Sequence, residues 1–123
     1  MSEGRRFTIE DADAVLPELR ERLPRLREAR QALIRGSERV SAAVARDGGG
    51  VAGTDILRAE QELRAEVEWL AAEGVLLRDP EKGLVDFPAE RDGEDVYLCW
   101  QLGEDRVGWW HRLDSGFVDR TPL

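Results

Sequence analysis

The sequence predicts an α+β fold, a long antiparallel helical hairpin packed on a small antiparallel β-meander. Three observations predict it. Leucine and valine recur at steps of three, four and seven through the first seventy residues, the spacing that lines one stripe of a helix. The run DGGGVAGT at 47–54 divides that pattern, because four glycines in eight residues cannot sustain a helix. Beyond Gly74 the period changes to short alternating runs bounded by Asp, Pro and Gly, the pattern of strands joined by tight turns.

Thr8 and Asp11 have the spacing of a helix N-cap with an acid near the first turn, and Phe7 can staple back on Ala12, so a short helix starts near Ile9. Pro17 suits a first turn better than a helix interior. The main helix is therefore expected to restart there, with Glu18 and Glu21 favouring its positive end, and Pro24 predicts a kink. From Leu16, the residues Leu19, Leu23, Leu26, Leu33, Val40 and Val44 form one stripe running to about Arg46. Arg30 and Ser37 interrupt the seam, which suits an antiparallel partner in the same chain better than a parallel coiled coil. Thr54 and Asp55 cap a second helix with Ile56, Leu63, Val67 and Leu70 as its stripe, Ala59 for close approach and Gly74 as its stop. Two helices leave half of each stripe uncovered, so the rest of the chain or a second subunit must complete the core.

Four strands are expected at 75–78, 84–87, 96–102 and 106–113, separated by turns at DPEKG, at Arg91-Asp92-Gly93-Glu94 and at Gly103-Glu104-Asp105. In the third strand Val96, Leu98, Trp100 and Leu102 face the helices, while Tyr97, Cys99 and Gln101 face away. A three-residue loop at 103–105 pairs Trp100 with Trp109 and Leu98 with His111. That register puts His111 on the core face, Trp110 outward and Cys99 across the sheet from His111. The chain then reads as one domain over 1–123, with the hairpin at 7–74, its glycine link at 47–54, the meander at 75–113 and a C-terminal tail at 114–123.

Composition bounds the function. The 123 residues are 41% hydrophobic and 36% charged, the balance of a folded soluble chain. Eighteen basic against 26 acidic residues leave a net charge of −8, which disfavours nucleic acid and anionic membranes as partners. Residues 79–123 carry 5 bases and 11 acids, so most of the excess sits there with three of the four tryptophans. Neither a membrane-length apolar run nor a secretory leader is visible, and a cytoplasmic location is expected. A single cysteine, Cys99, rules out an intramolecular disulfide or a thiolate-rich zinc site.

The nearest approach to a site is the cluster Trp110, His111, Arg112, Asp114 and Arg120. A histidine beside a carboxylate is the pattern of a general base or a metal ligand. The simpler reading is a buried imidazole satisfied by a backbone carbonyl or by Asp114. Cys99, facing away from His111, reads as an inert thiol. The acids Asp79, Glu81, Asp86, Glu90, Asp92, Glu94 and Asp95 match no calcium loop and read as solvated turn carboxylates. An outward Trp110 marks an interface. No catalytic set, metal-ligand spacing or cofactor motif is assigned.

The stretches FTIEDADAVLPELR, RDPEKGLVDFPAERDGEDVYLCWQLGE and WWHRLDSGFVDRTPL resemble domain of unknown function 2203, a family of small bacterial proteins. The specific runs are GLVDFPA, CWQLGE and WHRLDSGF. The resemblance implies a small cytoplasmic domain and transfers no catalytic residue. The expected function is a non-catalytic interaction or assembly module, not an enzyme, self-associating as a homo-oligomer through the hairpin or docking another protein. The alternative is a small-ligand or metal-binding protein, or an enzyme, with its site around His111, Asp114 and Arg120.

Overall fold

The computed structural model describes residues 5–47 and 53–123, with side chains described over 5–38 and 55–123. Helices α1 (Ile9–Asp47) and α2 (Gly53–Glu73) precede strands β1 (Leu76–Asp79), β2 (Leu84–Arg91), β3 (Glu94–Gln101), β4 (Trp109–Arg112) and β5 (Thr121–Pro122), with a 3-10 turn at Phe117–Asp119. The strands form one antiparallel sheet in chain order. The expected α+β class is therefore observed, with five strands instead of four. Thr121 and Pro122, in the segment read as a tail, pair with Trp110 and Trp109. Most of the glycine link lies outside the described residues, as do the side chains of Val40, Val44 and Thr54.

Thr8 begins α1 with a reciprocal cap. Its Oγ1 accepts from the Asp11 amide at 2.9 Å, while its own amide donates to Asp11 Oδ2 at 3.1 Å, so two orphan donors are satisfied at once. Phe7 and Ala12 are both buried, as a staple requires, and the Phe7 amide donates to Pro88 O at 2.7 Å, tying the helix start to β2. The helix does not break at Pro17. It runs 39 residues through both prolines. Each proline costs about 3 kcal/mol in a helix interior, and burial of Leu16, Leu19, Leu23 and Leu26 on the same stripe, at about 1.5–3 kcal/mol each, outweighs that. At the far end of α2, Val75 N–H reaches Leu70 O and Gly74 N–H reaches Ala71 O with Gly74 at φ +81°, a Schellman stop with Leu70 and Val75 buried together.

The helices run antiparallel, with Arg5 paired to Glu73 and Arg22 to Glu66. In α2 the buried seam is Ala59, Glu66 and Leu70, with Leu63 half-buried. Val67, expected on the stripe, is 47% exposed. Glu66 takes the inward position because Arg22 meets it at 2.9 Å and also pairs with Glu18, which supplies the partner a buried carboxylate needs.

The inner sheet face is Val85, Phe87 and Ala89 of β2 with Val96, Leu98 and Trp100 of β3, all packed with the α1 leucines in one core. A two-residue turn joins these strands, with Asp92 and Gly93 both at positive φ, the geometry Asp-Gly favours. Between β3 and β4 the expected register is wrong by one residue: Cys99 pairs with Trp109, Leu98 with Trp110 and Tyr97 with His111. The connection is seven residues long, 102–108, instead of three. Glu104 folds it back, its carbonyl accepting from Trp100 Nε1 at 3.0 Å and its carboxylate from the Gln101 amide at 2.9 Å. Val107 is thereby buried, with its amide on Asp13 of α1. The shift exchanges the two faces of β4.

Candidate functional site

The exchange turns Trp110 toward the helices and sends Trp109 and His111 to the outer face, where Cys99 and Asp86 already lie. One cross-strand row results. Asp86 of β2 stands opposite Cys99 of β3, and His111 of β4 reaches across. All three are buried, at 3%, 1% and 3% exposure, although this face lies away from the leucine core. The C-terminal segment covers it.

Each of the three can ligate a metal, and one ligand atom from each lies within 4.8 Å of the others. The ring of His111 is fixed at both nitrogens. Nδ1 lies 2.8 Å from Arg112 O and Nε2 lies 3.0 Å from Asp86 Oδ2. A carbonyl oxygen only accepts, so Nδ1 carries a proton and Nε2 points its remaining site at the carboxylate. Nε2 and Oδ2 are close enough to share a hydrogen bond or to ligate one cation together. Arg78 supports the same oxygen, its Nε donating at 2.9 Å from the bulge that breaks the β1–β2 register.

Cys99 is not poised as a nucleophile. Burial, and after it the Asp86 carboxylate, push its thiol up to about 11, against the opposing effect of Arg120. Arg120 Nη1 lies 3.9 Å from Sγ, and its guanidinium is held between Trp109 and Phe117 at 4.4 and 4.2 Å and paired with Glu104. This clamp fastens the C-terminal segment to the 102–108 connection, directly over the cysteine.

The residues expected at a site are thus divided. His111 and Arg120 belong to the cluster. Asp114 is exposed and makes no hydrogen bond to His111; Asp86 holds that place. Arg112 contributes its carbonyl, while its side chain is exposed and pairs with Glu94. Trp110 is turned to the other face under Arg91, with Nε1 buried and unpartnered among the described residues. Asp86, read as a solvated turn acid, is instead the centre of the network. Its neighbours in that run behave as turn acids do, Asp79 capping two amides and Glu81 pairing with Arg30. The missed signal was an acid in the middle of the apolar strand LVDF, facing the same side as the cysteine opposite.

These features define a class, an α+β chain whose meander is covered by a helical hairpin on one face and carries a closed Asp–Cys–His centre on the other. A family model described as "Uncharacterized conserved protein (DUF2203)" matches residues 5–123. The chain belongs to that family, and GLVDFPA, CWQLGE and WHRLDSGF each supply one member of the centre, namely Asp86, Cys99 and His111. Neither a curated protein nor a solved structure matches the chain.

Proposed function

We propose that this protein binds one divalent transition-metal ion through Asp86 Oδ2, Cys99 Sγ and His111 Nε2. The observation that carries the reading is the convergence of three buried ligand atoms, with Nε2 3.0 Å from Oδ2 and the Cys99 sulfur beside them. The Nδ1–H bond to a backbone carbonyl is the outer contact that fixes a ligating histidine in its tautomer. Mixed O, N and S donors suit zinc or a metal of similar softness, with ligand bonds of about 2.0–2.3 Å. Three protein ligands leave a fourth position, the arrangement of metal sites that bind or activate a small molecule.

Elemental analysis of chain purified without chelator tests it. One equivalent of metal is expected, with Asp86→Asn, Cys99→Ala and His111→Gln each losing most of it. Metal-free wild type that gains no thermal stability from added zinc, cobalt, nickel or manganese would overturn the reading.

A second reading is self-association through the hairpin, supported by Ile34, Leu57 and Val67, which are 44%, 53% and 47% exposed. Native mass spectrometry over a concentration series tests it; a monomer throughout would remove it. The net charge of −8 supports work away from nucleic acid. No helix among the described residues is long and apolar enough to cross a membrane.

A further inference from the structure

We infer that the centre takes a small organic carboxylate as its further ligand, bound between the metal and Arg78; this rests on the metal reading above. A pocket of about 300 Å³ opens between the outer sheet face and the C-terminal segment, and Asp86 is the one member of the centre on its wall. The pocket therefore meets the centre at Asp86. Arg78 lies on the same wall. Its Nε is spent on Asp86, its guanidinium is stacked on Tyr97 at 5.0 Å, and its Nη groups have no carboxylate partner among the described residues. The side chain is 42% exposed, so its far end is both fixed and reachable.

Charge selects the ligand class. A divalent ion is neutralised by the Asp86 carboxylate and the Cys99 thiolate that metal binding creates, and Glu104 offsets Arg120. Arg78 is left as one uncompensated positive charge beside the open position. A single carboxylate balances it, whereas an amine would add to it. A guanidinium also matches a carboxylate in geometry. Leu84, Leu113 and Phe117 line much of the remaining wall and favour a short apolar body. The volume lies at the lower end of ligand pockets, which limits that body to a few carbons.

The test uses the full chain loaded with cobalt(II), with butyrate as probe and butyramide as its neutral counterpart. A near-ultraviolet thiolate-to-cobalt band reports the metal reading, and the visible bands report the open position. Butyrate is expected to change the visible bands saturably, at a concentration at least tenfold below butyramide. Arg78→Gln should raise half-saturation by tenfold or more. Leu113→Asp should do the same by placing a negative charge on the pocket wall, and Leu113 is neither a metal ligand nor a hydrogen-bond partner of Asp86, so it decides the matter if Arg78→Gln disturbs Asp86. A thiolate band with no response to butyrate, an equal response to butyramide, or a response to inorganic phosphate alone would overturn the carboxylate inference and leave the metal reading standing. Absence of the thiolate band would overturn both.

Discussion

Trp100 is the largest of the fully buried side chains, seated between β2 and the α1 leucines with its indole N–H on Glu104 O. Trp100→Ala should lower stability by about 3–5 kcal/mol, because a cavity of that size cannot collapse in a packed core. Tyr97, next but two along the strand, is half-buried on the outer face, where its ring meets His111 and Arg78. Tyr97→Ala should cost less than half as much, and equal losses in urea melts would mean that the two faces are equally closed. Gly83 is a second fixed point. Its φ is +68°, and an added Cβ would lie 2.7 Å from Leu102 Cβ, an atom that cannot swing aside. Gly83→Ala is expected to cost about 2–3 kcal/mol from left-handed strain plus overpacking; a loss below 1 kcal/mol would show that the turn can be remodelled. At Asp11 the effect appears in pH. The hydrogen bond from the Thr8 amide, foremost among several causes, holds its carboxyl below the ordinary 3.8. A lowered folded value means stability that is fully present above pH 3.8 and lost as pH falls through the lowered value. Asp11→Asn should therefore narrow the difference in melting temperature between pH 5 and pH 3, and an unchanged difference would detach the cap from acid sensitivity.

Elements were legible where a strong local signal agreed with packing. The Thr8 cap, the Gly74 stop, the Asp92-Gly93 turn and the alternation of Val96, Leu98 and Trp100 are short-range patterns, and each is found as the sequence predicts. Failures came where distant contacts overrode a local rule. Pro17 and Pro24 would end an isolated helix, but α1 is held by a sheet whose presence no local window reveals. The β3–β4 register depended on the length of one connection, which is set by Glu104 folding onto β3 and by Val107 reaching α1. One residue of slip reversed the faces of β4, and with them hid the centre, since Cys99 and His111 were placed on opposite sides. Within the hairpin, Leu63 sits one turn from Glu66, whose burial depends on Arg22. Leu63→Asp would set a second carboxylate at i,i+3 from Glu66 with no added cation. A loss of about 2–4 kcal/mol is expected, and native-like melting of that variant would remove Leu63 from the seam.

At the scale of the whole molecule the sheet is covered twice, by the helices on its inner face and by residues 113–120 on its outer face, and the second cover is pinned by the β4–β5 pairing and by the Arg120 side chain. That side chain is 13% exposed, lies between two aromatic rings and pairs with Glu104. Arg120→Ala removes a charge-assisted pair, leaves Glu104 without its cation and uncovers Trp109 and Phe117 together. A stability loss of about 2–4 kcal/mol is expected from these combined effects. The more telling readout is the thiol. Cys99 is 1% exposed, and burial raises its pKa, so in the metal-free wild type it should react with a disulfide reagent only as fast as the protein opens. Without the Arg120 clamp the C-terminal segment can lift while the hairpin and inner core stay intact, and labelling should quicken at least tenfold. Global destabilisation would also quicken it, so the comparison is with a hairpin variant of matched stability, such as Leu63→Ala, in which the clamp remains. Faster labelling of Arg120→Ala than of its matched partner would mean that the outer cover opens as a local unit, giving a small ligand a path to the centre that spares the core. Equal rates would mean that cover and core unfold together, and that any ligand must enter through the existing pocket beside Arg78.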